Sequence, residues 1–179
     1  MSNKRIIVMV GPSGSGKTSI GEVLSKDGVQ RLTTTTTRAP REGEEDGIDY
    51  YFREFSELDS EDFVEQTIYN GNRYGLTKEE VSNQLKEHDI VHVSLDQNGA
   101  EAVLAEFPNE VYIVFVSITE EEMIHRMEKR GDSKEAIKER IRFCRATDEL
   151  QAPAFADLIL INNDIEKTAQ QIIQHIESE

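Results

Sequence analysis

The stretch IVMVGPSGSGKTSI, residues 7–20, decides how the rest of the chain is read. Four apolar residues run straight into a glycine-rich turn that ends in Lys17 and Thr18. Gly11, Pro12, Ser13, Gly14, Ser15, Gly16, Lys17 and Thr18 match G-x-x-x-x-G-K-[ST] without a mismatch, and Ser19 follows directly. Glycines at these positions let backbone N–H groups turn inward against phosphate oxygens, which a Cβ would obstruct. A helix starting at the turn adds the positive end of its dipole. The spacing predicts that Lys17 reaches the β- and γ-phosphates of a nucleoside triphosphate and that the Thr18 hydroxyl ligates Mg²⁺. A chance glycine turn is the competing explanation. The strand pattern before it and the helix pattern after it, the context the motif requires, argue against chance.

Outward from this turn, apolar runs recur at 6–10, 90–95, 111–116 and 158–161. They are too continuous for half-exposed strands and suit a parallel sheet covered on both faces. Helical patterns lie between them: from Thr18 to about Ser25, from Asn98 to about Phe107, from Thr119 to Arg130, and near 165–177. The last places Ile165, Ala169, Ile172, Ile173 and Ile176 on one face. Capping boxes are predicted at Thr119 with Glu122 and at Thr77 with Glu80. Strand–helix alternation implies an α/β fold around a central parallel sheet with right-handed crossovers. Residues 33–84, polar and rich in glycine and acid, break the alternation and read as an insertion. Residues 119–150 form a second, helical excursion. The expected plan is one domain over 1–179, with its core at about 1–32, 85–118 and 151–179.

Composition narrows the function. The chain has 179 residues and a net charge of −15, which argues against nonspecific nucleic-acid binding. Residues 126–145 nevertheless carry eight Lys/Arg against four Asp/Glu. Positive charge concentrated in an acidic protein suggests a small anion held there; a solvated basic helix face is the plainer alternative. No apolar run approaches membrane-span length, and the N-terminus lacks the features of a signal peptide. The single cysteine, Cys144, fits a reducing cytoplasm. The four histidines show no metal-ligand spacing.

The phosphoryl acceptor is read from the insertion, in TTTTTRAPREGEEDGIDYYF (33–52) and FVEQTIYNGNRYGL (63–76). Arg38 and Arg41, in a segment stiffened by proline, can hold one phosphate through paired hydrogen bonds. Tyr50 and Tyr74 can donate to the same anion, and Glu65 and Asp96 can accept from the N–H groups of a purine such as guanine. Arg126 and Arg130 stand at i and i+4 on one helix face, where a closing lid would aim both at phosphates.

With these residues in view, the chain resembles the guanylate kinase family over nearly its whole length. The quoted segments resemble that family's phosphate loop, its S-x-T-T-R-x-P-R-x-G-E-x-x-G-x-x-Y-x-F stretch and its F-x-E-x-x-x-x-x-G-x-x-Y-G stretch. RMEKRG resembles its lid helix and INND its late V-N-D turn. The resemblance implies a three-layer P-loop fold with an inserted GMP-binding subdomain and a helical lid. It also implies transfer of the γ-phosphoryl of ATP to GMP, giving GDP, with Mg²⁺ as cofactor, in a monomer or homodimer. By the same resemblance Arg38, Arg41, Tyr50 and Tyr74 hold the GMP phosphate, and Thr34 and Glu65 contact guanine. Asp96 sits near the acceptor and, through water, Mg²⁺. Arg126 and Arg130 come from the lid, Arg130 also lying against adenine, and a second lid arginine is Arg140 or Arg142.

The departures gather at the acceptor side. Leu76 stands where Ser or Thr is usual, Ser94 replaces the first acid of a D-x-D-x-x-G pattern, and Thr34 replaces a serine. Two other readings follow: a relative that phosphorylates another monoester, such as a phosphorylated sugar, and a non-catalytic module that binds phosphorylated peptides. Intact Lys17 and Thr18 weigh against the second.

Overall fold

A computed structural model describes residues 4–12, 14–69 and 71–178. Its centre is a five-stranded parallel sheet of β1 (Arg5–Val10), β2 (Gln30–Arg31), β7 (Ile90–Ser94), β8 (Val111–Ser117) and β9 (Leu158–Ile161), in the order β2-β7-β1-β8-β9. β1 is flanked by β7 and β8, with Val8 paired to Val93 on one side and Ile113 on the other. Both neighbours cover its edges, and helices cover its faces, so Ile6 to Val10 are essentially without solvent contact. That accounts for the unbroken apolar run.

Alternate residues of the strands feed two cores. Ile7 and Met9 pack with Ile20, Val23 and Leu24 of α1 (Lys17–Lys26) and with Ala169, Ile172 and Ile176 of α6 (Ile165–Glu177). Ile6, Val8 and Val10 pack with Val81 of α2 (Lys78–Glu87) and with Ala100 and Val103 of α3 (Gln97–Glu106). The result is the three-layer α/β architecture expected from the sequence. Ile165, expected on the buried face of α6, is 39% exposed; the helix starts there, beyond the sheet.

Two appendages rise from this core. A four-stranded sheet, β4-β3-β6-β5, joins β3 (Thr35–Thr36), β4 (Tyr51–Phe52), β5 (Phe63–Tyr69) and β6 (Asn72–Thr77). Its strands are short or half-exposed, which is why polarity and glycine masked them in sequence. The other appendage pairs α4 (Glu120–Arg130) with α5 (Lys134–Ala146) around Met123, Met127, Ile137 and Cys144.

Both capping boxes need correction. Thr77 and Thr119 do accept the N–H groups of Glu80 and Glu122, at 3.2 and 3.1 Å. The return half goes elsewhere. Glu80 accepts instead from the Thr33 N–H at 2.9 Å and the Tyr51 hydroxyl at 3.0 Å. Glu122 pairs with Arg126 at 2.8 Å. Tertiary donors take the Glu80 carboxylate, and an arginine one turn further along the same helix takes that of Glu122.

Candidate active site

The phosphate loop leaves β1 at the sheet's carboxyl edge, where strand order reverses about β1 and α/β proteins bind their ligands. Two glycines fix its path. Gly11 (φ 149°) lies so close to the Val116 carbonyl that a Cβ would collide with it. Gly16 takes φ 98° at the N-cap of α1, with the Asn162 amide where a Cβ would stand. The Asn162 Nδ2 donates to the Ser15 carbonyl at 2.8 Å, tying the loop to the turn after β9. Pro12 and Ser15 are buried; the Ser15 Oγ is enclosed without a hydrogen-bond partner. Ser13 lies outside the described residues. Lys17 Nζ donates to the carbonyls of Gly11 at 2.5 Å and Pro12 at 3.1 Å. Burial pushes its ammonium below the ordinary lysine range.

Two cavities meet at this loop. One, of about 650 Å³, is lined by Gly14, Gly16, Lys17, Thr18, Ser19, Arg126, Arg130, Asn162, Asn163 and Ile165. The other, of about 470 Å³, lies on the far side of the start of α1 and includes Lys17, Thr18, Thr34, Tyr50, His92 and Ser94. Lys17 and Thr18 line both. A further cavity of about 450 Å³, beside Asp27, His88 and Glu177, sits at the opposite end of the strands, away from the loop.

On the donor side, Arg126 is a brace as well as a lining residue. Its guanidinium donates to Glu122 Oε1 at 2.8 Å and to the carbonyls of Gly14 and Asn162, each at 2.9 Å. Arg130 pairs with Asp132. On α5, Arg140 faces inward and Arg142 is exposed. Arg140 Nη2 donates to Glu149 at 2.7 Å. Of the two candidates for second lid arginine, Arg140 is the one turned toward the core of the α4–α5 pair.

On the acceptor side, Arg38 makes a two-pronged ion pair with Glu44, at 2.8 and 2.9 Å. The Arg41 N–H donates to the same carboxylate at 2.7 Å. Hydrogen bonding from Arg38 holds the Glu44 carboxyl below the usual carboxylate range. Arg38 lies over the rings of Tyr50 and Phe52, at 5.5 and 5.8 Å, and Tyr50 meets Tyr74 edge-on at 6.1 Å. Arg38, Tyr50 and Tyr74 are thus brought together, with Arg41 exposed beside them. Glu65 and Asp96 meet elsewhere, at the start of α3, where both carboxylates crowd Gly99. Asp96 caps α3 by accepting the Gly99 N–H at 2.7 Å. Burial, then the charge of Asp96, pushes the Glu65 carboxyl up to about 7. Neither acid lines the two cavities that share Lys17. Leu76 is wholly buried in the core against Val81, so the hydroxyl usual at its position has no substitute there.

Sequence reasoning did not single out Asn162 or Glu44. INND at the end of the last strand was the signal for the first; for the second it was an acid six residues beyond an arginine in a proline-containing turn.

Thr18 is exposed at the junction of the cavities. Among the described residues no cluster of three or more His, Cys, Asp or Glu could hold a metal ion. That donor set fits a Mg²⁺ ion held chiefly by nucleotide oxygens, with one protein hydroxyl, and not an all-protein cage.

Comparison with known proteins identifies the family. Residues 3–179 match the family model described as Guanylate kinase. A guanylate kinase of Fusobacterium nucleatum is 34% identical, the alignment covering 99% of this chain and 98% of the relative. The crystal structure of guanylate kinase from Anaplasma phagocytophilum superposes with a TM-score of 0.66 at 25% identity, covering 99% of this chain and 87% of that one. A shikimate kinase from Acinetobacter baumannii superposes with a TM-score of 0.54 at 16% identity, covering 99% and 95%, a likeness of fold alone.

Proposed function

The chain belongs to the guanylate kinase family and phosphorylates GMP to GDP at the expense of ATP, and we propose that it does so across Lys17, with ATP in the larger cavity and GMP entering from the smaller. The observation that carries this assignment is that Lys17 and Thr18 line both cavities. Phosphoryl transfer needs donor and acceptor held in line and little covalent help from the protein.

In this reading ATP takes over the Lys17 ammonium from the Gly11 and Pro12 carbonyls. The enclosed Ser15 Oγ and the loop N–H groups supply further donors. Arg126 keeps the loop in shape. Arg130 and Ile165 flank the adenine end of the cavity, and Arg140 approaches the transferring phosphoryl group from the lid. Arg38, Arg41, Tyr50 and Tyr74 hold the acceptor's phosphate, with Glu44 fixing Arg38 in a rotamer suited to it. Thr34 and Glu65 read guanine, and Asp96 stands next to Glu65. Thr18 would ligate Mg²⁺, which when bound neutralises charge on the β- and γ-phosphates. Lid closure excludes water and so limits idle hydrolysis of ATP. A cytoplasmic setting belongs to the same reading; among the described residues no helix is long and apolar enough to cross a membrane.

The test is a coupled assay of ADP release with Mg·ATP and each of GMP, dGMP, AMP, CMP and UMP. Turnover dependent on GMP is expected, and Lys17→Ala should lower kcat by about a hundredfold or more. Undiminished turnover in that variant would overturn the assignment of the loop.

A further inference from the structure

The end of α5 makes an unusual turn. Thr147 caps the helix, and Asp148 follows with φ 52°, the only non-glycine residue with positive φ among the described residues. Glycine is the ordinary occupant of this position after a helix, because a Cβ there crowds the backbone. The turn folds the chain back, so that the Glu149 N–H donates to the Cys144 carbonyl at 3.1 Å. It also lays the Glu149 carboxylate on the inner side of α5. There Oε2 accepts from Arg140 Nη2 at 2.7 Å and from the Cys144 thiol at 3.4 Å.

Arg140 is correspondingly constrained. Its guanidinium rests over the Phe143 ring at 5.2 Å, and its Nε–H is buried with no acceptor. The charges of Glu149 and Arg140 are both felt at Lys17 of the phosphate loop. A carboxylate near a site for polyphosphate repels the ligand unless it has another task. A buried donor without an acceptor is likewise unfavourable unless a ligand completes it.

We infer that Glu149 is a positioning residue: it holds Arg140 through Nη2 and leaves the neighbouring Nε–H for a phosphoryl oxygen. The inference rests on the reading of Arg140 as the second lid arginine. The backbone conformation at Asp148 is the device that brings the carboxylate to it.

The test is a double-mutant cycle on the intact enzyme with ATP and GMP as substrates, using Glu149→Ala, Arg140→Ala and both together. Each variant is also followed by thermal unfolding. Glu149→Gln, which keeps the shape, and Arg140→Lys stand in where an alanine variant does not fold. Expected for Glu149→Ala is a fall in kcat of about tenfold or more, with KM for both nucleotides within about threefold. Glu149→Asp should recover part of the loss. In the Arg140→Ala background, removing Glu149 should change kcat by no more than about twofold, because residues that act through one another are not additive. Effects that multiply, a normal kcat in Glu149→Ala, or a loss that vanishes on cooling below the unfolding transition would each overturn the inference. A normal kcat in Arg140→Ala would remove Arg140 from the mechanism and Glu149 with it. A slow Arg140→Ala beside an unimpaired Glu149→Ala would strike Glu149 alone.

Discussion

Glu65 and His92 are buried side chains whose protonation is pulled in opposite directions, and their effects on stability overlap. Burial and the charge of Asp96 raise the Glu65 carboxyl from 4.5 to about 7. The folded chain therefore keeps a proton there over a range in which the unfolded chain has lost it. By linkage, stability falls by about 3 kcal/mol as pH rises from 4.5 to 7. His92 is 2% exposed, with Nε2 2.9 Å from the Ser25 hydroxyl, and burial lowers it from 6.5 to about 4. The folded chain refuses that proton, so about 3 kcal/mol is lost as pH falls from 6.5 to 4. The two slopes oppose one another between pH 4.5 and 6.5. Denaturant unfolding at several pH values should show Glu65→Gln losing stability on acidification more steeply than the parent. His92→Gln should gain stability over the same interval. Parallel curves for parent and Glu65→Gln would mean that Glu65 is ionised throughout. Catalysis offers a second readout. A carboxylate accepts two guanine N–H groups better than a carboxylic acid does, so KM for GMP should fall as pH rises through about 7. Glu65→Gln should have a higher KM without that inflection. Ionisation of the GMP phosphate, with a pKa near 6, is common to both enzymes and drops out of the comparison.

At the scale of elements, the parts that can be read from the sequence are those whose burial is uniform. The strands at 6–10, 90–95 and 111–116 follow from continuous apolar runs and the helix at 165–177 from its apolar stripe, whereas 158–161, expected to be covered on both faces, is an edge strand with Ile159 57% and Ile161 63% exposed. The insertion is different. β3 and β4 have two residues each, and their place is set by partners far along the chain: Thr36 lies opposite Tyr74, and the Thr33 N–H bonds to Glu80. No local pattern records such pairings. Glu80 shows why: sequence spacing marks it as half of a capping box, whereas folding gives its carboxylate to two donors 29 and 47 residues away. At 5% exposure it ties the entry to the insertion, and β4, onto α2. Glu80→Ala leaves the Thr33 N–H and the Tyr51 hydroxyl without their acceptor and should destabilise the fold by about 2–3 kcal/mol. Because Thr34 and Tyr50 adjoin these two donors, KM for GMP should rise more than KM for ATP. Equal effects on both constants would show that the tie serves stability alone.

Across the whole molecule, charge and topology divide the labour. The chain is strongly acidic, yet each arginine assigned to the site, Arg41 apart, is held by a carboxylate of its own: Arg38 by Glu44, Arg126 by Glu122, Arg130 by Asp132 and Arg140 by Glu149. The arginines were legible as a basic segment and a spaced pair; the acids that hold them were hidden in an excess of acid. The donor side was the more legible, because one contiguous loop carries most of it. The acceptor side draws on four separated segments, and Leu76 faces the core. What joins the halves is Lys17, shared by both cavities. That sharing makes a prediction for a ligand that spans them. Adenosine and guanosine joined 5′ to 5′ through five phosphates should bind more tightly than ATP alone by about 10²–10⁴, because the second nucleoside binds at the effective concentration set by the linker. Titration calorimetry against ATP, GMP and the joined compound measures the gain. Lys17→Ala should weaken the joined compound more than it weakens GMP, since only the former crosses the loop. An affinity no better than that of ATP would mean that the two cavities are not in line, and the smaller one would then not be the acceptor's way in.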